Sequence, residues 1–293
     1  MHKAGFVNII GKPNVGKSTL MNVMVGEKLS IITSKAQTTR HRIMGLLNGE
    51  DFQIVYSDTP GIIRPQYELH QAMMHFVNVS LEDADIILFV TDIYEKYDEE
   101  DVIKKLKKIK IPIILIINKI DLAKPEEVEA KTAYWKEYIN PVEVIGVSAL
   151  KQQNTEKVFE AIMKYLPEHP AYYPKDALTD RPEKFFAAEI IREKIFKNYT
   201  QEIPYCTEVV IRAFKEDEKI IRISTEIFVE RPTQKSILIG KGGESIKKVG
   251  IEARKDLEEF FQKQIFLEQR VSVEPDWRKL KQKLRHWGYI QED

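Results

Sequence analysis

The segment Gly11–Ser18 (GKPNVGKS) constrains this chain more than any other stretch. It matches the pattern Gly, four residues, Gly-Lys-Ser, and it stands between a β-branched run (Phe6–Ile10) and a helical pattern (Ser18–Val25). A glycine turn that leaves a strand and opens a helix aims backbone N–H groups at an anion, where the helix terminus adds a favourable field. N–H groups around Gly16 are thus expected to cradle phosphate oxygens, Lys17 to reach the terminal phosphates, and the Ser18 hydroxyl to serve Mg²⁺. Further strand candidates follow at Phe52–Ser57, Ile86–Thr91, Ile111–Asn118 and Val142–Ser148, several of them apolar at successive positions. Helical patterns at Glu99–Lys108, Glu126–Tyr138 and Glu156–Leu166 lie among them. This alternation predicts a doubly wound, mostly parallel α/β domain over residues 1–170.

Three short motifs sit at the ends of predicted strands. Asp58-Thr59-Pro60-Gly61 offers a carboxylate for Mg²⁺ and the Gly61 N–H for a γ-phosphate. Asn118-Lys119-Ile120-Asp121 follows the run Ile111–Ile117. The Asp121 carboxylate can accept from both the ring N–H and the exocyclic amine of guanine; adenine lacks that donor pair, so GTP is selected over ATP. Asn118 is placed to tie this loop to the phosphate loop, and the Lys119 stem to lie against the base. Ser148-Ala149-Leu150 completes the set with a backbone contact to the guanine oxygen. The expected nucleotide contacts are therefore Gly11, Asn14, Val15, Gly16, Lys17, Ser18, Thr19, Asn118, Lys119, Asp121, Ser148, Ala149 and Leu150.

The texture then changes. Pro167, Pro170, Pro174 and Pro182 fall close together among tyrosines and charges, which predicts a stiff connector over 171–182. Residues 183–293 read in another order: helix Glu183–Asn198, strands Thr207–Phe214 and Lys219–Glu230, a short helical turn before Gly240, helix Glu244–Gln262, strand Ile265–Val273 and a basic tail at Arg278–His286. That is an α+β domain. Gly240-Lys241-Gly242-Gly243 forms a G-x-x-G loop between two helices, which lets a nucleic-acid backbone approach closely, as in KH domains. From Lys235 to Lys255 six residues are basic and two acidic, so the balance is positive where phosphates would fall. Ile237, Ile239, Gly240, Lys241, Gly242, Gly243, Lys247 and Lys248 are the expected RNA contacts; Ile237, Ile239, Ile246 and Val249 can line an apolar groove or serve as plain core.

Composition narrows the class. Lys plus Arg and Asp plus Glu are 45 each, so any nucleic-acid signal is local. The single cysteine, Cys206, allows no intrachain disulfide and no Cys-rich zinc site. The opening residues lack the apolar run of a signal peptide, and no stretch nears the ~20 apolar residues of a membrane span, so a reducing cytosol is expected.

Together the strings GKPNVGKS, QTTRHR (Gln37–Arg42), DTPGI (Asp58–Ile62), NKID and SAL resemble the translation-factor-like GTPases, in the branch that includes Era, EngA and MnmE. With one type II KH domain directly behind, and IGKGGE at Ile239–Glu244, the chain is most similar to the Era family over nearly its whole length. That resemblance makes Thr39, with Thr38 the alternative, the switch threonine that joins Ser18 and Asp58 at Mg²⁺. It implies GTP/GDP as cofactor, single-stranded ribosomal RNA near the 3′ end of the small-subunit RNA as partner, a role in small ribosomal subunit maturation, a monomer, and peripheral association with the inner membrane. Catalysis is then assigned to Lys17, Thr39, Gly61 and Asn14. The residue after the D-T-P-G motif is Ile62, where a water-orienting Gln is expected; an aliphatic chain cannot polarise water, so intrinsic hydrolysis should be slow. For Asn14 two readings stand: an Asn here helps hold K⁺ beside the phosphates in this branch, or it shapes the loop. Two alternatives to a GTP-hydrolysing switch also stand, an RNA-binding protein with a structural nucleotide and an RNA-modifying enzyme like MnmE. The second has no additional catalytic domain to rest on.

Overall fold

The β-branched runs of the first half become a six-stranded sheet ordered β2-β3-β1-β4-β5-β6, in which every neighbouring pair is parallel except β2 and β3. The strands are β1 (Lys3–Gly11), β2 (Ile43–Asn48), β3 (Phe52–Asp58), β4 (Ile86–Asp92), β5 (Ile113–Asn118) and β6 (Glu143–Gly146). β4 and β5 are buried at every position, which is why they read as unbroken apolar runs rather than alternating ones. The helices are α1 (Lys17–Val25), α2 (Glu68–Glu82), α3 (Pro125–Ile139) and α4 (Thr155–Tyr165). This is the P-loop GTPase architecture expected. The computed structural model describes residues 1–95 and 104–290; the first half of the expected helix at Glu99–Lys108, residues 99–103, lies outside the described residues.

Two elements of this unit were not legible. β2 (IMGLLN) is too short and too interrupted by Gly45 to show a period, and α2 carries His and Asn among its apolar positions.

The chain divides into two compact units, one of residues 1–30, 39–64 and 73–180, the other of 31–38, 65–72 and 181–293. The prolines of the expected connector do not make a free linker up to residue 182. Residues 172–180 are bound to the edge of the first sheet: Leu46 N–H donates to the Leu178 carbonyl, Thr179 Oγ1 to the Met44 carbonyl, and Tyr172 and Tyr173 N–H to Gln53 Oε1. An edge strand such as β2 exposes unpaired N–H and C=O groups, and this segment satisfies them.

The second unit follows the expected α+β order. It contains α5 (Glu183–Asn198), the short α6 (Ile203–Cys206), β7 (Glu208–Glu216), β8 (Ile220–Val229), α7 (Pro232–Ile239), α8 (Glu244–Phe261), β9 (Gln264–Val273) and α9 (Lys281–His286). β7 and β8 pair antiparallel, β8 and β9 parallel, in the order β7-β8-β9. Val249, Ala253 and Leu257 recur every four residues on α8 and bury that face in a core shared with Ile191 and Ile195 of α5 and Ile223 and Ile227 of β8. The residues after β9 are anchored too. Trp277 is buried and donates its indole N–H to the Cys206 carbonyl, and Tyr289 Oη donates to Glu208.

Candidate functional site

The phosphate loop leaves the C-terminal end of β1, the strand flanked by β3 and β4, where the order of the sheet reverses. Open α/β sheets bind ligands at such a point, because the loops on either side diverge and leave a crevice. Gly16 has φ 97°, and a Cβ there would stand 2.1 Å from Asn118 Nδ2, so only glycine fits. No side chain caps the first turn of α1, and that turn holds no acidic residue. Its N–H groups are left for an anion. Lys17 follows, only 6% exposed, with Nζ donating to the Lys12 carbonyl at 2.7 Å. Burial pulls its pKa down to about 8, against the opposing pull of Asp58 and Glu95. A buried ammonium beside uncapped N–H groups fits a phosphate chain.

The three residues expected at Mg²⁺ converge. Ser18 Oγ donates to Asp58 Oδ2 at 2.6 Å and lies 2.9 Å from Thr39 Oγ1, which itself is 3.4 Å from Asp58 Oδ2. Asp58 is fully buried at the end of β3 with Oδ1 lacking a hydrogen bond, and desolvation raises its pKa against the opposing pull of Lys17 and Ser18. A buried carboxylate oxygen with no donor, beside two hydroxyls, is an oxygen set suited to Mg²⁺. Of the two threonines, Thr39 stands in this cluster; Thr38 bonds instead to Thr33 and to the Lys35 carbonyl.

Asn118 links three loops. Its Nδ2 donates to the Val15 carbonyl at 2.8 Å, and its Oδ1 accepts from the N–H groups of Lys119 and Ala149. Lys119 adopts φ 65°, and its Nζ donates to the Asn14 carbonyl and pairs with Asp92 at 2.5 Å. Asp121 and Leu150 are exposed, whereas Ser148 and Ala149 are buried. Thr19 follows Ser18 on α1. Gly61 packs so closely on the phosphate loop that a Cβ would be 2.6 Å from Pro13 N, and Ile62 N–H donates to the Gly11 carbonyl. The Ile62 side chain is buried in the core with Ile10 and Val77.

Sequence reading missed Asp92 and Glu95. Asp92 caps the turn after β4 by accepting from Tyr94 and Glu95 N–H, and Glu95 accepts from Thr91 and lies 3.7 Å from Lys12 in the phosphate loop. Two acids at a strand end are too common a pattern to single out; only their proximity to Lys119 and Lys12 marks them.

In the second unit, Gly240, Gly242 and Gly243 all have positive φ, and α8 starts at Gly243 without a side-chain cap. Lys241, Lys247 and Lys248 are exposed around this turn. The four residues proposed for an apolar groove separate. Ile237 is 52% exposed, Ile239 and Ile246 are partly buried against the core, and Val249 is fully buried. Val249 is therefore core. Tyr199, which the sequence did not flag, supports the loop from below by donating to the Leu238 carbonyl at 2.6 Å, and burial pushes its hydroxyl up to about 12. Among the described residues no helix is long and apolar enough to cross a membrane.

Comparison with known proteins matches this geometry. The family model "50S ribosome-binding GTPase" matches residues 6–119, and the model "KH domain" matches residues 202–278. The GTPase Era proteins of Staphylococcus haemolyticus and Staphylococcus epidermidis are each 42% identical over 294 residues, covering 99% of this chain and 98% of their own. Two solved structures each cover 99% of the chain and 100% of their own at TM-score 0.94. One is a variant of Aquifex aeolicus Era bound to GDP.AlF4-, 38% identical; the other is Era in complex with MgGDPNP and nucleotides 1506–1542 of 16S ribosomal RNA, 39% identical.

Proposed function

The chain belongs to the Era family of GTPases, and from that premise we propose a GTP-hydrolysing switch that binds single-stranded RNA near the 3′ end of small-subunit ribosomal RNA and acts in small-subunit maturation. One observation carries this reading: a relative similar over both units holds MgGDPNP and a 16S ribosomal RNA segment at once. The "50S" of the GTPase model describes a match to residues 6–119 alone, so the small subunit is the better-supported partner.

In this reading Lys17 and the N–H groups of the Gly11–Thr19 turn hold the phosphates, and Ser18, Thr39 and Asp58 hold Mg²⁺. Mg²⁺, when bound, neutralises charge developing on the phosphate oxygens. Asp121 reads the guanine edge, Lys119 lies along the base, and Asn118 keeps the Ser148–Leu150 loop against it. The Gly61 N–H faces the γ-phosphate, while Ile62, anchored in the core, leaves water unoriented; hydrolysis is intrinsically slow. Ile237, Ile239, Lys241, Lys247 and Lys248 meet RNA around Gly240–Gly243. Asn14, at φ 64° beside the phosphate loop's lysine contacts, takes K⁺ in a site that speeds turnover. The cytoplasm, with peripheral attachment to the inner membrane, is the setting that accompanies this function, and the protein acts as a monomer.

Single-turnover GTP hydrolysis with and without an RNA carrying the 16S 3′ end tests the switch. A rate change of at least about fivefold on adding RNA is expected, the low end of ordinary coupling. An RNA-independent rate would instead favour a binding module with incidental turnover. Equal rates in K⁺ and Na⁺ buffers would remove the ion from Asn14.

A further inference from the structure

α5 carries an unusual load of buried charge. Glu189, Arg192, Glu193 and Lys194 are all buried on a helix whose remaining buried positions are Phe186, Ala187, Ile190, Ile191, Ile195 and Phe196. A guanidinium taken out of water is costly unless its donors are used. Arg192, 1% exposed, spends its Nε and Nη2 on Glu189 at 2.8 and 2.5 Å, and Nη2 also donates to the Thr38 carbonyl at 2.5 Å. Its Cζ lies 5.2 Å from the Phe196 ring centre. The next residue, Glu193, accepts at Oε1 from Ile32 N–H at 3.2 Å, and one turn along Lys35 Nζ donates to the Phe196 carbonyl. The 31–38 segment is thus held by α5 at three points, and it is braced within itself by the Thr33–Thr38 hydroxyl pair. The next residue in the chain is Thr39, whose hydroxyl belongs to the Ser18–Asp58 cluster.

The same helix also reaches the G-x-x-G elements. Asn198 donates to Glu252 on α8 at 2.6 Å, and Lys194 pairs with Asp256 on α8. Tyr199, just past α5, holds the Leu238 carbonyl two residues before Gly240. One rigid element therefore grips both the backbone leading into the switch threonine and the helix that begins at the RNA loop.

We propose that Arg192, assisted by Glu193 and Lys35, is a positioning residue that couples RNA binding at Gly240–Gly243 to the placement of Thr39, through its hydrogen bond to the Thr38 carbonyl. This rests on the GTPase and RNA-binding reading above. Coupling between two sites is reciprocal, so it is read as one number, the ratio of RNA affinities in the two nucleotide states. The test measures affinity for a 16S 3′-end oligonucleotide with GDP and with GDPNP, in the full-length protein and in Arg192→Lys. Lysine keeps the charge but lacks the planar fork by which Arg192 meets both Glu189 oxygens while donating to the Thr38 carbonyl. The expected result is a wild-type ratio of about fivefold or more that collapses to near one in Arg192→Lys, while RNA affinity with GDP is retained. Lys35→Met, which leaves the buried pair intact, should lower the ratio partway and decides the matter if Arg192→Lys does not fold. A wild-type ratio above one that survives in the variants overturns the role of Arg192 alone. A wild-type ratio of one overturns the switch reading and takes the coupling with it.

Discussion

The two glycine turns of this protein look alike on paper and are packed in opposite ways. At Gly16 the backbone is enclosed: Asn118 closes over it, Lys17 is buried beside it, and no acidic residue enters the first turn of α1. At Gly242 and Gly243 a Cβ would meet nothing within 4 Å, and Glu244 stands in the first turn of α8. In the proposed function the first turn encloses a compact, highly charged group whose every oxygen must be met. The second leaves an open face along which a polymer backbone can lie, and exposed lysines rather than a buried one supply the charge. The difference lies in packing around the loop.

That contrast breaks most visibly at Lys17. Removing the buried Lys17 ammonium, proposed to meet the phosphates, should cost on the order of 10²–10³ in single-turnover GTP hydrolysis for Lys17→Ala, as for loss of a preorganised transition-state donor. Affinity for the 16S 3′-end oligonucleotide in the GDP state should not change. A parallel loss of RNA binding would mean that the two turns are not separate sites. Next comes Asp121→Asn, which leaves the guanine edge with unmatched donors. GTP affinity should fall by about 10–100-fold, the cost of leaving polar groups unpaired, and xanthosine triphosphate should become the preferred nucleotide in competition binding. Unchanged GTP preference would show that base selection lies elsewhere.

The sequence revealed the enclosed site better than the open one, for a physical reason. Phosphate and guanine recognition depend on residue identity at fixed offsets after strands, so Gly16, Lys17, Asp58, Asn118 and Asp121 could be named as candidates from strings alone. What holds them was less visible. Asp92 on Lys119, Glu95 near Lys12 and Tyr199 beneath the G-x-x-G loop act through contacts between residues far apart in the chain. For the connector, proline content speaks for stiffness and says nothing of what a stiff segment lies against; 172–180 lies along the edge strand β2. In α5 a signal was present and unused. A helix apolar at Phe185, Phe186, Ile190, Ile191, Ile195 and Phe196 has no wide polar face left, so Glu189, Arg192 and Glu193 had to be buried and paired.

At the open turn the expected effects are smaller. Gly242→Asp meets no atom and sits at φ 59°, a region that Asp tolerates, so folding should cost under about 1 kcal/mol. RNA affinity should nevertheless drop roughly tenfold, because a carboxylate now faces phosphate and like-charge opposition is worth 1–2 kcal/mol at close range. GTP hydrolysis without RNA should be unaffected. If Gly242→Asp binds RNA normally, the nucleic acid does not approach this loop.

The smallest effect is the most diagnostic of how RNA is held. Lys247 is exposed on the first turn of α8, where it can neutralise a phosphate without reading a base. Its removal in Lys247→Ala should weaken binding only about threefold, and equally for every RNA sequence tested. The slope of log affinity against log salt should fall by about 0.7, the contribution of one phosphate contact on a single strand. Lys248 offers a control on the same turn, since Glu252 lies 3.9 Å away and already offsets part of its charge, so Lys248→Ala should change the slope less. Equal slopes for wild type and both variants would place the phosphates away from α8. A loss confined to particular sequences would make Lys247 a base reader, and the open turn would then be more selective than its geometry implies.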